Sequence, residues 1–236
     1  MNNMKIRNEN LALYLGFKLN KIGNEFTTEE LGGLTELNLN QLNEFGEQEE
    51  VDVEVLDYTP NLETLTLRNF EITDELIERI KKMPNLKSIA FDRCIISDFS
   101  KIGEIDVDYL SITNNRFLTT DFLKGKNYKA LILNDSDNID IANIADMEGL
   151  EVLYVTNSHV ENPDMIGKLK NIRTLHIENS DIEDISFMGD MENLTTVGLD
   201  RDAYVRSEGT VTKLLDRDVR FYDNGFIPII ETPKAK

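Results

Sequence analysis

The two histidines of this chain, His159 and His176, are the first side chains to test for chemistry, because imidazole is a common zinc ligand. They are 17 positions apart, and neither lies in a His-x-x-His or His-Glu-x-x-His pattern, the spacings that bring two imidazoles onto one ion. The chain also lacks Gly-x-Ser-x-Gly, Walker and Gly-x-Gly-x-x-Gly motifs. The sequence therefore predicts no zinc centre and none of the sites that these motifs build.

Acidic residues offer a second candidate, a calcium loop at residues 135–140 (DSDNID), which has acids at its first and third positions. Ile139 then stands at the fifth position, where a ligand is needed, and Asp140 replaces the glycine of the sharp turn. Asp146, at the twelfth position, is shorter than the bidentate glutamate normally used. We therefore expect no metal site and no cofactor.

The chain is strongly acidic: 44 Asp and Glu against 25 Lys and Arg give a formal net charge of −19. At this content carboxylate pairs arise by chance, and a solvated surface is the default interpretation of each. We therefore predict that the protein is not an enzyme. Because the same charge repels phosphate backbones and anionic lipids, we expect a protein partner, no direct nucleic-acid binding and no membrane contact.

The single cysteine, Cys94, rules out an internal disulfide and favours a reduced compartment. No segment approaches the roughly 20 apolar residues that span a bilayer. The apolar stretch 11–17 (LALYLGF) follows Glu9 and lacks a small-residue cleavage site. We therefore predict a cytoplasmic protein; export or surface attachment through a segment removed from the chain is the alternative.

These side chains belong to a repeated segment, which determines where each of them points. The unit L-x-x-L-x-L-x-x-(N/C/S)-x-I recurs with starts 21 to 28 residues apart. A period this regular indicates a stacked repeat. The eight units start at Leu34, Leu62, Leu86, Val107, Tyr128, Leu150, Ile172 and Leu194.

In each unit the fourth and sixth residues, such as Leu175 and Ile177, are predicted to face the interior from a strand, while the fifth faces outward. Stacked units place these strands in one parallel sheet. The ninth residue turns the chain away, and a small or polar side chain there satisfies backbone groups. We therefore expect Cys94 to be buried and structural. In the first seven units the other ninth residues are Leu42, Phe70, Asn115, Ser136, Ser158 and Ser180, and the first two predict turns that are built differently.

Three segments outside the repeated strands are predicted to form helices, and one of them continues as a strand. Residues 9–22 are apolar at helical spacing and are predicted to form a helix over the first repeat. A helix is predicted over 73–82, with Thr73 as its cap. Residues 207–222 read as a short helix followed by a strand, DVRFY, that covers the last repeat. The returning arms of the shorter units are predicted to be single turns or 3₁₀ pieces.

Over roughly residues 26 to 206 the pattern resembles the leucine-rich repeat, and units with tails such as SDIEDISFMGDMENL resemble the internalin-type bacterial repeats. The lead-in EFTTEELGGLTELNL resembles the N-terminal cap of such repeats. The resemblance implies an α/β leucine-rich-repeat solenoid, with a curved parallel sheet on the concave side and short helices and turns on the convex side. The predicted domains are a helical cap at 1–30, about eight repeats at 31–206, and a C-terminal cap and tail at 207–236.

The resemblance also implies a non-enzymatic module that binds a protein on its concave face. Fifth-position residues of successive units lie about 4.8 Å apart in such a sheet. Ile132, Tyr154 and His176 are then predicted to form one exposed stripe, of the rigid kind used by binding hot spots. The predicted partner-binding charges beside the stripe are Asp92, Arg93, Glu178, Asp200 and Arg201. The alternative is that these charges only keep an unoccupied sheet soluble.

A second functional hypothesis is an acidic decoy that mimics nucleic acid or captures a basic protein. The 32 predicted concave positions are the third, fifth, seventh and eighth residues of each unit. They hold five acids and three arginines, and their net of two negative charges is close to the chain average. A decoy would therefore use another surface, such as the acidic segment 44–55 (EFGEQEEVDVEV). We predict a solvated insertion there, with an edge strand through its valines as the alternative. The tail 226–233 (FIPIIETP) is predicted to pack into the C-terminal cap, with a partner-binding strand or a loose tail as alternatives.

Overall fold

The structure is a computed structural model, and it describes residues 3–43, 45–115, 118–223 and 227–228. The chain forms two compact units, Met1–Ile112 and Thr113–Lys236. In each unit, parallel strands follow one another at the spacing of the sequence repeat, and short helices or 3₁₀ turns occupy the returning segments. The predicted α/β leucine-rich-repeat architecture is confirmed.

The first unit begins with a small cap and continues as a parallel sheet. Strands β3, β4, β6 and β8 lie side by side in this order. The first two strands pair antiparallel, and β5 pairs parallel with β7. The strands are β1 (Asn3–Lys5), β2 (Glu25–Thr27), β3 (Glu36–Asn40), β4 (Thr64–Arg68), β5 (Glu71–Ile72), β6 (Ser88–Asp92), β7 (Ile95–Ile96) and β8 (Tyr109–Thr113). The helices are α1 (Glu9–Leu19), α2 (Thr28–Gly32), α3 (Asp74–Ile80) and α4 (Phe99–Ile102), with a 3₁₀ helix at Val53–Tyr58.

Fourth-position residues form the core of this unit, as the repeat predicts. Leu37, Leu65 and Ile89 are neighbours in register and are fully buried. Burial of one such side chain stabilises the fold by about 2 kcal/mol.

Helix α1 confirms the helix predicted over 9–22, although it ends at Leu19. Asn8 caps its start by accepting a hydrogen bond from the backbone N–H of Leu11 at 2.8 Å. The helix stops where Asn20 adopts the left-handed conformation, with φ 51°. The hydroxyl of Tyr14 accepts a hydrogen bond from the backbone N–H of Asn38 at 3.2 Å. The cap helix therefore provides a hydrogen-bond acceptor for a backbone N–H group of strand β3, at the end of the parallel sheet.

Helix α3 also begins where predicted. The Thr73 hydroxyl accepts a hydrogen bond from the backbone N–H of Leu76 at 3.3 Å, and the first turn carries Asp74 and Glu75. Negative charge at the N-terminal end of a helix interacts favourably with the helix dipole and stabilises the helix. The α-helix ends at Ile80, two residues earlier than the prediction.

The acidic segment 44–55 is not an edge strand through its valines. Val51 and Val55 are buried, and a 3₁₀ helix begins at Val53. The carboxylate of Asp52 explains the difference, because it accepts hydrogen bonds from the backbone N–H groups of Arg7 and Asn8 at 2.8 and 2.9 Å. The second half of the segment is thereby held against the cap, and within it Glu54 is exposed, whereas most of the exposed side chains lie in the loop before it.

The eighth residue of six units has a feature that the sequence interpretation missed. We assigned this position to the sheet face, but in the structure it has left-handed φ, between 53° and 59°. Asn and Asp tolerate this region better than other non-glycine residues, so their recurrence was the available signal. These residues are Asn69, Arg93, Asn114, Asp135, Asn157 and Asn179.

Arg93 is the exception in this series, and the substitution Arg93→Asn should therefore stabilise the protein. We expect the free energy of unfolding to rise by about 1 kcal/mol, because Asn adopts left-handed φ with less steric conflict. Urea unfolding followed by circular dichroism measures the change. Arg68→Asn is the matched control, since it removes the same charge from within strand β4. An equal or smaller gain for Arg93→Asn than for the control would contradict the prediction.

The ninth-position residues line the turn as predicted. Cys94 is 6% exposed, and its Sγ donates to the carbonyl oxygen of Leu67 at 3.3 Å. Burial raises the pKa of the Cys94 thiol to about 11, so the reactive thiolate is suppressed. Ser158 has the equivalent role in its own unit, where its Oγ donates to the carbonyl oxygen of Leu133 at 3.2 Å.

The second unit continues the repeat and ends in a helical and stranded cap. Strands β9, β11, β13, β14 and β15 are parallel neighbours, β10 pairs parallel with β12, and β16 pairs antiparallel with β15. The strands are β9 (Ala130–Ile132), β10 (Ile139–Asp140), β11 (Val152–Tyr154), β12 (Val160–Glu161), β13 (Thr174–His176), β14 (Thr196–Gly198), β15 (Arg220–Asp223) and β16 (Ile227–Pro228). The 3₁₀ helices are Asp121–Leu123, Ile141–Asn143, Pro163–Lys168 and Ser186–Asp190, and the α-helices are α5 (Arg201–Arg206) and α6 (Glu208–Leu215).

Two predictions for this unit are confirmed. The returning arms are 3₁₀ pieces, and residues 207–222 form helix α6 and then strand β15. Of the tail 226–233, only residues 227–228 are among the described residues, so its predicted packing lies outside them. The domain limits at 30 and 206 stay predictions.

Candidate functional site

One row of side chains crosses the sheet of the second unit on the face opposite the buried leucines. Neighbouring strands are in register without a shift, so fifth-position residues stand beside one another. Leu131, Leu153 and Leu175, which alternate with this row, are fully buried on the other face. The row consists of Ile132, Tyr154, His176, Gly198 and Tyr222.

His176 lies in this row, but its predicted exposure is wrong. Only 2% of the residue is accessible to solvent. Its ring centroid is 4.3 Å from that of Tyr154, with 37° between the ring planes. On the other side, Nδ1 lies 2.9 Å from Oε1 of Glu178, a distance at which an Nδ1–H donates to the carboxylate. The imidazole is therefore packed against its neighbours and does not present itself to a partner.

Gly198 is the physical reason for this burial. A Cβ atom placed on Gly198 would overlap with Nδ1 of His176 and with Oε1 and Cδ of Glu178. The missing side chain leaves a space above β14, and the imidazole and the carboxylate fill it. At this position the glycine permits close approach, which is a different role from turn formation.

Glu178 is the second correction. It was predicted to be an exposed charge beside the stripe, but it is only 3% exposed and is paired with His176. A buried carboxylate requires hydrogen bonds to offset its lost hydration, and the imidazole supplies one. Glu178 is therefore part of the support beneath the surface.

Tyr154 is an aromatic side chain of the row that remains partly accessible, next to half-buried Ile132. Burial, and after it the negative charge of Glu178, raises the pKa of the Tyr154 phenol, which therefore stays neutral at physiological pH. Because its ring stacks on His176, it is held in place before any partner arrives. A side chain held in this way loses little conformational entropy on binding.

The remaining predicted site residues are not brought into this cluster. Asp92 and Arg93 belong to the first unit, where the Nε atom of Arg93 lies 3.6 Å from a carboxylate oxygen of Asp92. Asp200 is half-buried, and its Oδ2 accepts a hydrogen bond from the backbone N–H of Asn179 at 2.9 Å. Arg201 is exposed at the start of α5. The structure thus groups four of the eight predicted residues: Ile132, Tyr154, His176 and Glu178.

Tyr222 is a residue of this surface that the sequence interpretation missed. It is half-buried and stands next to Gly198 in register. The strand DVRFY was predicted, but its fifth-position residue was not assigned because the segment lies beyond the last repeat unit. Buried Phe221, at the position equivalent to Leu175, was the signal that would have placed Tyr222 on the sheet face.

The part of the chain that the structure describes contains no group of three or more His, Cys, Asp and Glu side chains arranged to hold a metal ion. Among the same residues, none of the helices combines the length and apolarity needed to cross a bilayer.

Neither protein-family models nor curated protein sequences match this chain. Solved structures do match. An internalin (inlF) from Listeria monocytogenes has a TM-score of 0.59 and 24% identity, over 81% of this chain and 56% of that one. Internalin C2 (inlC2) from the same species has a TM-score of 0.58 and 19% identity, over 84% of this chain and 89% of that one. The fold is the internalin-type leucine-rich repeat.

A third internalin-type structure, InlP from L. monocytogenes, has a TM-score of 0.50 and 15% identity, over 82% of this chain and 64% of that one. The chain therefore spans about half the length of the inlF structure and most of the internalin C2 structure. At these identities the likeness establishes the internalin-type fold alone.

Proposed function

We propose that this protein is a non-enzymatic protein-interaction module that binds its partner on the sheet face of the second unit, centred on Tyr154. The observation that carries the proposal is that Tyr154 is partly accessible, is packed against the ring of His176, and lies beside Ile132. Aromatic side chains on rigid elements are the residues that most often dominate protein–protein binding energy.

The character of the surface favours a macromolecule as the partner. Side chains in register on neighbouring strands present a broad face, whereas small molecules are usually enclosed in cavities. The third-position row beside it is mixed, so an apolar centre has a polar border, as interfaces commonly do. That second row consists of Ala130, Val152, Thr174, Thr196 and Arg220.

Tyr154→Ala should weaken partner binding by about 30-fold, the loss typical of a hot-spot residue. The partner is first identified by capture from a lysate of the native organism followed by mass spectrometry. Calorimetric titration of the purified pair then gives the dissociation constants. His176 is a poor second target, because its removal would leave the buried carboxylate of Glu178 without its imidazole partner.

Tyr109→Ala is the matched control for this experiment. Tyr109 is a sheet-face tyrosine of the first unit and is 44% exposed. Its replacement should leave the dissociation constant unchanged. Equal binding by wild type and Tyr154→Ala would reject the surface. Equal losses in both variants would contradict the proposal that the contact is centred on Tyr154.

The acidic-decoy alternative predicts a different response to salt. An attraction driven by the net charge of −19 should largely disappear at roughly 0.5 M salt, whereas burial of the Tyr154 row should persist. Binding that survives high salt would therefore favour the interaction module. The cytoplasmic location stays a prediction, which fractionation of the native cells would test.

A further inference from the structure

Strand β3 lies at the end of the parallel sheet and pairs with β4 on its inner side. Its hydrogen bonds to β4 begin where the C=O of Thr35 accepts at 3.0 Å and end where the N–H of Gln41 donates at 3.1 Å. Backbone groups of successive residues in a strand point to opposite edges, so the odd-numbered residues of this stretch face β4. The even-numbered residues therefore direct their N–H and C=O groups away from the sheet. They are Glu36, Asn38 and Asn40.

Helix α1 occupies one group of this outer edge, because the hydroxyl of Tyr14 accepts the hydrogen bond of the Asn38 N–H. The C=O of Asn38 and both backbone groups of Asn40 have no hydrogen-bond partner among the described residues. Lysine and proline, which often protect exposed edges, do not occur in β3. An acceptor, a donor and a second acceptor are therefore available along this part of the strand.

These backbone groups lie beside a groove of about 380 Å³ between α1 and β3. Leu11 and Tyr14 line it on the helix side, and Asn38, Leu39 and Asn40 line it on the strand side. Its volume is within the range of ligand-binding clefts. Because both sides are regular elements of the fold, the groove is formed before a ligand binds, and little entropy is lost in ordering it.

The lining of the groove is nearly neutral, although the net charge of the chain is −19. Among the described residues that line it, Arg68 is the only charged one, and its Nε lies 3.6 Å from a carboxylate oxygen of Asp92. A phosphate group or a metal ion needs more opposite charge than this. The side-chain amide of Asn38, which has no partner among the described residues, can donate and accept as a peptide group does. The lining therefore favours a neutral ligand that carries peptide groups.

We propose that the open part of the β3 edge binds an extended peptide segment of a partner protein, which adds a strand to the sheet. In this mode of recognition, main-chain hydrogen bonds supply affinity and alternate side chains supply specificity. Two peptide N–H groups donate to the C=O groups of Asn38 and Asn40, and one peptide C=O accepts from the N–H of Asn40. The same three hydrogen bonds form with a parallel or an antiparallel peptide.

The two faces of β3 determine which peptide side chains fit. Leu39 points to the inner face, where Leu11 and Val51 also line the groove, so a peptide side chain on that face should be apolar. The next peptide side chain lies on the sheet face beside Asn38 and should be polar. The groove belongs to the first unit and shares no residue with the Tyr154 row, so this proposal does not depend on the proposed function.

Asn40→Pro and Asn40→Ala are the matched pair that tests strand addition. Both remove a side chain that accepts hydrogen bonds from the backbone N–H of Leu42 and the amide of Asn69. Proline also removes the backbone N–H, whereas alanine keeps it. That N–H points away from β4, and proline is tolerated at such edge positions, so the sheet should persist. Circular dichroism checks that both variants are folded.

The probe is a phage-displayed library of random dodecapeptides selected on the wild-type protein. Selected peptides are synthesised and titrated against the three proteins by fluorescence anisotropy. At least one peptide with alternating apolar and polar residues should bind Asn40→Pro about tenfold or more weakly than wild type, and Asn40→Ala less than about threefold more weakly. A selection in which no peptide distinguishes the two variants in this way would overturn the proposal.

N-methylation of the selected peptides provides a measurement that does not depend on either variant. A methyl group on a peptide nitrogen removes one N–H donor and leaves the side chains unchanged. Binding to the wild-type protein should be lost when the methyl group is on alternate residues, whose N–H groups face β3, and kept when it is on the residues between them. If no selected peptide showed this alternation, recognition would not be strand addition.

Discussion

Gly198→Ala should lower the free energy of unfolding by about 3 kcal/mol, near the upper end of the usual cost of adding a methyl group to a packed site. The new Cβ would overlap with Nδ1 of His176 and with the carboxylate of Glu178. Both side chains are almost completely buried, and His176 is also packed against Tyr154. Both side chains would have to shift to make room for the new methyl group.

Gly209→Ala is the matched control for this prediction, since it makes the same substitution in the same unit. A Cβ atom on Gly209 meets nothing within 4 Å. Because Gly209 lies in helix α6 and Ala has the higher helix propensity, the control should be stabilised by up to about 1 kcal/mol. Denaturant unfolding of both variants gives the comparison. If the two variants were equally stable, the packing described around Gly198 would be wrong.

The packing at Gly198 also bears on binding, because the imidazole beneath Tyr154 determines how the phenol ring is presented. A Gly198→Ala protein that remains folded should therefore bind its partner more weakly than wild type does. The substitution would change the position of the Tyr154 ring, because the imidazole that supports it moves, but it would leave the phenol itself unchanged.

Asp52→Asn should lower the free energy of unfolding by about 2 to 3 kcal/mol, the range for hydrogen bonds to a charged group. Asp52 is 3% exposed. Its carboxylate accepts hydrogen bonds from the backbone N–H groups of Arg7 and Asn8 and from Nε of Arg7, the last at 2.7 Å. An amide keeps the shape but loses the charge, and its NH₂ group cannot accept. The N-terminal cap would therefore be held less firmly to the segment that follows β3.

The pH dependence of stability provides a second measurement for Asp52. Burial alone would raise its pKa, but the hydrogen bonds from Asn8 and Arg7 outweigh burial and lower the pKa below its ordinary value. A carboxyl group whose pKa is lower in the folded state contributes stability above its unfolded pKa of about 3.9. That contribution is lost as the pH falls through the folded pKa. Wild type should thus be more stable than Asp52→Asn at neutral pH, and the two should converge in acid.

Glu50→Gln is the matched control for Asp52→Asn. Glu50 lies 3.5 Å from the same guanidinium group, but its side chain is 84% exposed. An exposed ion pair contributes little, so the control should change the free energy of unfolding by less than about 0.5 kcal/mol. Equal effects of the two substitutions would mean that net charge, and not the buried carboxylate, determines stability here.

The internal faces of the strands were predictable from sequence alone. Leu37, Leu65, Leu153 and Leu175 recur at the fourth position of their units, and all are fully buried. This prediction succeeds because each unit repeats the same local rule: alternation in a strand sends every second side chain inward. The start of helix α3 after Thr73 was predicted for a similar reason, since capping depends on residues within one turn.

The surface was harder to predict, because accessibility depends on the neighbouring strand. His176 has the spacing of an exposed residue, and nothing within its own unit indicates otherwise. Its burial follows from a missing side chain at Gly198, which lies 22 positions later in the chain and beside it in the sheet. The burial of Asp52 was also not predictable from its own segment, because its hydrogen-bond donors are 44 and 45 positions away in the cap.

By itself, the sequence of this protein determined the repeat, the direction of each strand side chain and the helix caps, all of which depend on residues within one unit. The tertiary structure decided which outward-facing side chains reach solvent, because that depends on the volume of residues on adjacent strands. It thereby placed Tyr154 at the surface and the His176–Glu178 pair beneath it.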